Sequence, residues 1–127
     1  MSDKTIAQKL LIKEGKQVLL INAPKGYKTA LGALPAGAKV VSKAPAPVDV
    51  IQLFVTGRRA LEAELPMVKA LAGPQSLIWV TYLKGTAKTK TDINRDSLHA
   101  YARTVGLEGV SLVSIDDNWS AMRFKLV

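Results

Sequence analysis

The chain has 127 residues, 48% of them hydrophobic and 22% charged, which is enough for a single α/β domain spanning residues 1–127 with one buried core. It contains no cysteine and one histidine, so disulfides, thiolate nucleophiles, cysteine-ligated metals and histidine-rich metal sites are excluded. The formal net charge of +8 favours anionic partners, yet the eight lysines among residues 1–43 form no dense run and could simply keep the protein soluble.

The first part of the chain predicts a short helix, two strands and a linker. Apolar residues at helical spacing predict a helix over residues 4–13, and the apolar run of residues 17–22 predicts a strand buried on both faces. Prolines and glycines then leave room for only one or two helical turns within residues 27–34. A short strand at residues 39–42 and a proline-rich linker at 44–47 follow.

The middle of the chain predicts a strand, a helix and another strand. The apolar run of residues 48–55 predicts a second buried strand, and Thr56 is expected to cap the helix after it. Pro66 lies inside the apolar pattern of that helix and is expected to kink it or split it in two. The third buried strand is predicted over residues 76–83.

The last part of the chain predicts a helix and a hairpin. A polar loop over residues 84–93 leads to Asn94, which is expected to cap a helix. Strands are predicted over residues 110–115 and 119–126, and a tight turn at residues 116–118 joins them.

Strands alternate with helices until this final hairpin, and the strongest strands are apolar throughout. The order predicts a three-layer α/β sandwich, in which a mostly parallel sheet carries helices on both faces and ends in an antiparallel C-terminal hairpin. No apolar stretch is long enough for a signal-peptide core or a membrane span. We therefore expect a soluble, cytoplasmic protein that makes no membrane contact.

Several segments resemble a bacterial family of small uncharacterised proteins, and the most specific of them is the ending Asp-Asp-Asn-Trp-Ser-Ala-Met-Arg-Phe. The resemblance covers nearly the whole chain after Lys13, and it implies a family membership without an activity. The segments that carry it are residues 17–27, 31–35, 49–55, 77–80 and 116–124.

The order of the elements also resembles the later part of class I methyltransferases, so the fold is expected to be Rossmann-like. In such folds a glycine-rich turn follows the first strand, and an acidic residue at the end of the second strand holds the ribose of the cofactor. This chain has one glycine, Gly26, in the turn of residues 22–26, and Ser42-Lys43 where the acid is expected. The resemblance thus implies the architecture without the cofactor motif.

A candidate ligand site lies at the carboxyl ends of the predicted parallel strands, because ligands of open α/β sheets bind there. The helix starts near Thr56 and Asn94 are expected to add backbone N–H groups and the positive ends of helix dipoles. Together these groups predict a site for a small anion, such as a phosphate; the alternative is that the loop cations are only solvated. The cations concerned are Lys25, Arg58, Arg59, Lys84 and Lys88.

The hairpin supplies a second group of candidates. Asp116 and Asp117 suit acid–base chemistry if burial separates their pKa values, and they equally suit a turn, where Asp bonds its own backbone. Trp119 and Arg123 share a strand face about 13 Å apart, with an ion pair of Arg123 that locks the hairpin as the favoured structural role. We include Asp116, Trp119 and Arg123 among the candidate ligand-binding residues.

These observations favour a non-enzymatic module that binds a small anionic ligand or a protein partner and needs no cofactor or metal. Two alternatives stay open, a degenerate methyltransferase-like enzyme and a nucleic-acid-binding protein. Nucleic-acid binding requires the lysines of residues 4–43 to form one contiguous face. A homodimer is also open, since the final hairpin offers a strand edge that a second chain could cover.

Overall fold

The structure is a computed structural model, and it describes residues 5–43, 45–84 and 92–127. Four helices and six strands alternate along this part of the chain. In chain order they are α1 (Ile6–Lys9), β1 (Gln17–Ile21), α2 (Tyr27–Ala30), β2 (Lys39–Val41), β3 (Val50–Val55), α3 (Arg58–Leu71), β4 (Leu77–Leu83), α4 (Arg95–Thr104), β5 (Leu107–Ser114) and β6 (Trp119–Leu126).

The six strands form one sheet in the order β2-β1-β3-β4-β6-β5. Strands β2, β1, β3 and β4 are parallel to one another, whereas β6 is antiparallel to both β4 and β5. The predicted α/β sandwich with a mostly parallel sheet and an antiparallel C-terminal hairpin is confirmed. Strand β6 inserts between β4 and β5, so the hairpin leaves β5 at the edge of the sheet.

Helices α3 and α4 cover one face of the sheet. Their apolar side chains pack on every second residue of the central strands, as the alternation of a strand buried on both faces requires. The fully buried members from the two helices are Leu61, Leu65, Val68, Leu98 and Ala102.

The prediction that Pro66 splits the helix after β3 in two is wrong, because α3 continues through Pro66 as one helix of 14 residues. Proline has no N–H to donate to the carbonyl four residues earlier, so the carbonyl of Glu62 loses its partner in the helix. The hydroxyl of Tyr101 in α4 donates to that carbonyl at 3.4 Å. The neighbouring helix therefore supplies the hydrogen bond that Pro66 removes.

Helices α1 and α2 cover the other face. Helix α1 has only four residues and is shorter than predicted; Thr5 and Gln8 form a capping box at its start, and Leu11 leaves it with a φ of 63°. The indole Nε1 of the fully buried Trp79 donates to the carbonyl of Leu10 at 3.1 Å. This hydrogen bond fastens the end of α1 to strand β4.

The structure also corrects two predicted boundaries. Gly57, not Thr56, stands at the N-cap of α3, and it has no side chain with which to cap the helix. Strand β5 begins at Leu107, three residues earlier than predicted, directly after Gly106 ends the preceding helix with a φ of 84°. No helix within the described ranges is long and apolar enough to cross a membrane.

Candidate functional site

The carboxyl ends of β1, β3 and β4 lie side by side, because these strands are adjacent and parallel. Lys25 lies in the loop after β1, Arg58 is the first residue of α3 after β3, and Lys84 follows β4. The topology thus brings three predicted cations to one edge of the sheet. The fourth, Arg59, follows Arg58 in α3 and is exposed, and the fifth, Lys88, lies outside the described residues, as does most of the loop that carries it.

The two helix starts at this edge are closed by the chain's own acceptors. The carboxylate of Asp92 accepts a hydrogen bond from the backbone N–H of Arg58 at 2.7 Å, at the start of α3. Asn94 and Ser97 cap each other at the start of α4, at 2.8 and 2.9 Å. These acceptors already occupy the backbone N–H of Arg58 at the start of α3 and those of Asn94 and Ser97 at the start of α4, so an external anion would have to displace them there.

Two of the predicted cations also have intramolecular partners. The exposed Arg58 pairs with Glu62 one turn along α3, at 3.0 Å. The Nζ atom of Lys84 donates to the hydroxyl of Ser114 at 2.6 Å, and its side chain lines a cavity beside the start of α4. Neither of them lines the cavity to which Lys25 belongs.

That cavity lies between the loop after β1 and the end of β2, and it measures about 570 Å³. Its loop is shaped by Asn22, with a φ of 60°, and by Gly26, with a φ of 84°. Lys25 and Lys28 line it, and none of the described residues in its wall carries a carboxylate. The open part of the carboxyl edge is therefore electropositive and lies beside β1 and β2.

A buried polar chain supports the cavity from below. Tyr27, which lines the cavity, donates its hydroxyl to Oε1 of Gln52 at 2.9 Å, and Nε2 of Gln52 donates to the hydroxyl of Thr81 at 2.9 Å. Gln52 and Thr81 are 0% exposed. Burial raises the pKa of Tyr27 far above its usual value, against the lowering effect of Gln52, so the phenol stays neutral. These two hydrogen bonds were not predicted from the sequence.

The tryptophan of the C-terminal signature has a packing role. Phe54 of β3 meets the ring of Tyr27 edge-on at 4.6 Å and the ring of Trp119 edge-on at 5.3 Å. These three rings form a row across the face that α1 and α2 cover. Trp119 is half-buried at the end of that row, and it is absent from the wall of the electropositive cavity.

The carboxylates of the signature serve the hairpin turn. One oxygen of Asp116, Oδ1, accepts hydrogen bonds from the backbone N–H groups of Asn118 at 2.8 Å and Trp119 at 2.9 Å. Asp116 and Asp117 are both exposed. An exposed carboxylate that closes its own turn fits the structural reading better than paired acid–base chemistry.

Replacing Asp116 with alanine should therefore lower the free energy of unfolding by about 1–2 kcal/mol, because two backbone donors of the turn lose their charged acceptor. Urea unfolding at neutral pH measures this loss. Asp117→Ala is the matched control, since it removes an equal charge from the same turn. Equal losses for the two variants would contradict the assignment of the turn to Asp116.

Arg123 does not make the ion pair that we expected within the hairpin. Its Nε donates to the hydroxyl of Ser111 in β5 at 3.2 Å, and the ion pairs found among the described residues involve Arg58 and Arg95 instead. Arg123 lies on the face covered by α1, whereas Met122 and Phe124 pack with α3 and α4 on the other. The alternation predicted for this strand agrees with these positions.

No family model matches the chain, and no curated protein does. Solved structures share its fold. A SAM-dependent methyltransferase from Aquifex aeolicus is 13% identical with a TM-score of 0.60 over 94% of this chain and 87% of that one. DhpI in complex with SAH is 12% identical with a TM-score of 0.61 over 95% of this chain and 82% of that one. An rRNA methylase from Streptococcus thermophilus is 7% identical with a TM-score of 0.59 over 100% of this chain and 99% of that one. At these identities the similarity shows a methyltransferase-like fold alone.

Proposed function

We propose that this chain is a binding module for a small phosphorylated ligand, and that the ligand binds in the electropositive cavity beside β1 and β2. The observation that carries the proposal is the lining of that cavity, which holds Lys25 and Lys28 and no carboxylate among its described residues. Its volume of about 570 Å³ is in the range of small-molecule sites. Its place beside the carboxyl ends of parallel strands is where α/β folds bind ligands.

The residues at this edge do not fit S-adenosylmethionine in the manner that the Rossmann-like resemblance implies. That cofactor carries a cationic sulfonium, and its ribose is expected to pair with an acid after the second strand. Here Ser42 and Lys43 follow β2, and Pro24 removes one backbone donor from the loop after β1. We therefore base the proposal on anion binding and assign no reaction.

A methyltransferase is the second candidate, and the comparisons of fold favour it. The neighbours include a structure with SAH bound, and they match nearly the whole of this chain. Under this candidate the same cavity would take the methyl donor through Asn22, Ser42 and the backbone of the loop, without a carboxylate. The two candidates thus differ in the charge of the ligand that the cavity prefers.

Nucleic-acid binding receives less support from the geometry. Lys13 and Lys16 line a cavity at the starts of β3 and β4, whereas Lys25 and Lys28 line the cavity at the opposite edge of the sheet. The basic residues of the first part of the chain are thus divided between two ends of the domain. A single electrostatic footprint on one face is what a nucleic acid would need.

Calorimetric titration with ADP, adenosine and S-adenosylmethionine tests the proposal. We expect ADP to bind, and the Lys25→Ala/Lys28→Ala variant to bind it at least about tenfold more weakly, because each lysine supplies a charge-assisted contact to phosphate. Lys125→Ala is the matched control: it removes an exposed lysine from β6, outside the cavity, and should leave the affinity unchanged.

The outcomes separate the candidates. Binding of ADP with little binding of adenosine supports phosphate as the group that is held. Binding of S-adenosylmethionine in preference to ADP would replace the proposal with the methyltransferase candidate. Failure of ADP to bind, or equal loss in the Lys125 control, would overturn the proposed site.

A further inference from the structure

A second cleft lies on the face of the sheet that α1 covers, where helix α1 passes over strands β4, β6 and β5. It measures about 500 Å³ and shares no lining residue with the cavity beside β1 and β2. Its described lining consists of Gln8, Lys9, Leu11, Trp79, Ser111, Val113, Ser114 and Arg123. The cleft thus contains Arg123, the residue of the C-terminal signature that neither the turn nor the core explains.

Two hydrogen bonds hold the walls of this cleft in place. Trp79 donates its indole N–H to the carbonyl of Leu10 at 3.1 Å, which anchors the end of α1 to β4. Lys9 reaches from α1 to the far strand and donates to the carbonyl of Ser114 at 3.0 Å. Both contacts join the segment of α1 to the sheet beside the cleft.

The floor of the cleft is a row of side chains across three strands. Trp79 of β4 is the register partner of Arg123 in β6, and Arg123 is the partner of Ser111 in β5. The Nε of Arg123 donates to the hydroxyl of Ser111 at 3.2 Å. Among the described residues no other nitrogen of this guanidinium makes a hydrogen bond, so its two terminal nitrogens remain for a bidentate acceptor.

The charge of the cleft favours one negative group. Its described lining contains two cations, Lys9 and Arg123, and no carboxylate. Lys9 donates to a backbone carbonyl and Arg123 to a hydroxyl, so neither cation of the described lining has a carboxylate partner. A cation that lacks a carboxylate partner on a partly buried face is a natural receptor for an oxyanion.

The rest of the cleft is apolar. Val113 and Leu11 supply the accessible carbon surface beside the guanidinium, and Leu11 is 38% exposed, whereas Trp79 is 1% exposed and belongs to the core. The backbone of Leu11 has a φ of 63°, a left-handed conformation that is costly for a branched side chain. Backbone strain of this kind, at a residue whose side chain borders a cleft, is often found at ligand sites.

From these contacts we propose that the cleft binds an amphipathic monocarboxylate, with the carboxylate on Arg123 and the apolar body against Leu11 and Val113. The guanidinium of Arg123, whose two terminal nitrogens make no hydrogen bond among the described residues, accounts for the carboxylate, and the apolar walls account for a hydrocarbon body. This site is independent of the phosphate site, because the two cavities lie over different strands and have separate linings.

Calorimetric titration with octanoate and with its neutral counterpart octanamide tests this site. We expect octanoate to bind wild type at least about tenfold more tightly than octanamide, because only the carboxylate pairs with the guanidinium. In Arg123→Gln the preference for octanoate should disappear, and Arg123→Lys should restore part of it. Arg103→Gln, an equal change on the exposed side of α4, is the matched control and should keep the full preference.

Equal binding of octanoate and octanamide to wild type, or an unchanged preference in Arg123→Gln, would overturn the proposal. So would the absence of octanoate binding, or tighter binding of octyl phosphate than of octanoate. A purely structural role of Arg123 would lower the stability of the variants without changing the ratio of the two affinities. Unchanged binding of ADP by Arg123→Gln would show that the two sites are separate.

Discussion

Replacing Trp79 with alanine should lower the free energy of unfolding by about 3–5 kcal/mol, which is a large part of the stability of a domain of this size. Trp79 is fully buried in the central strand β4, so the substitution leaves a cavity in the layer between the sheet and α1. It also removes the hydrogen bond to the carbonyl of Leu10. The cavity and the missing hydrogen bond both weaken the attachment of the N-terminal segment to the sheet.

Urea unfolding followed by circular dichroism measures this loss. Trp79→Phe is the matched variant, because it keeps an aromatic ring in the layer and removes the indole N–H together with part of the volume. We expect it to lose clearly less stability than the alanine variant. If the alanine variant lost less than about 1 kcal/mol, Trp79 would not be the anchor that the geometry indicates.

The sheet could be predicted from the sequence because its signals are local. The runs at residues 48–55 and 76–83 are apolar throughout, and only a strand buried on both faces explains such a pattern between turn residues. The turn at residues 116–118 and the clean alternation after it predict the final hairpin in the same way. The position of β6 between β4 and β5 is a property of pairing between distant strands, which no local pattern records.

The errors in the helices have a common cause in contacts from elsewhere in the chain. Thr56 has the right chemistry for a cap, but the start of α3 is closed by Asp92, which lies 34 residues from Arg58. Pro66 stays inside a helix because Tyr101 takes up the carbonyl of Glu62. In both places a partner from the region of α4 satisfies a backbone group that sequence reasoning assigns to local residues.

The candidate site was only partly predictable for the same reason. The location of the site at the carboxyl edge of the sheet could be predicted from the topology. The location of Lys25 at that edge could be predicted because Lys25 lies in the loop after β1. The ion pair of Arg58 with Glu62 and the hydrogen bond of Lys84 to Ser114 depend on side-chain geometry that cannot be read from the sequence. The one available signal for the buried chain was Gln52 itself, an amide in the middle of an apolar run, since a buried amide must find partners.

The structure therefore combines a methyltransferase-like fold with a cavity at the carboxyl edge of the sheet that is lined by lysines and by no carboxylate among its described residues. The loop after β1 carries Lys25, α2 carries Lys28, and Ser42-Lys43 stands where the ribose-binding acid is expected. The phosphorylated ligand that we propose suits this cavity, because its negative charge is opposite to that of the lysines and ligands of α/β folds bind at this edge of the sheet. The cleft at Arg123 is the second oxyanion site that we propose, on the face that α1 covers.

The largest effect expected near the proposed phosphate site comes from Gln52. Gln52→Leu should lower the free energy of unfolding by about 2–6 kcal/mol, because it leaves two buried hydroxyls without their partners, at about 1–3 kcal/mol for each such group. Tyr27 would lose the acceptor of its hydroxyl, and Thr81 would lose the donor to its oxygen. Water cannot replace the lost bonds where Gln52 and Thr81 are 0% exposed.

The triple variant Tyr27→Phe/Gln52→Leu/Thr81→Val distinguishes this cause from a packing defect. It removes all three polar groups together, so no unpaired hydroxyl remains, and it should recover most of the stability that the single variant loses. Urea unfolding of wild type, the single variant and the triple variant under one condition measures the difference. A triple variant less stable than Gln52→Leu would contradict the hydrogen-bond explanation. The three substitutions would then destabilise through additive packing losses, whereas removing all three polar groups should leave none of them unpaired.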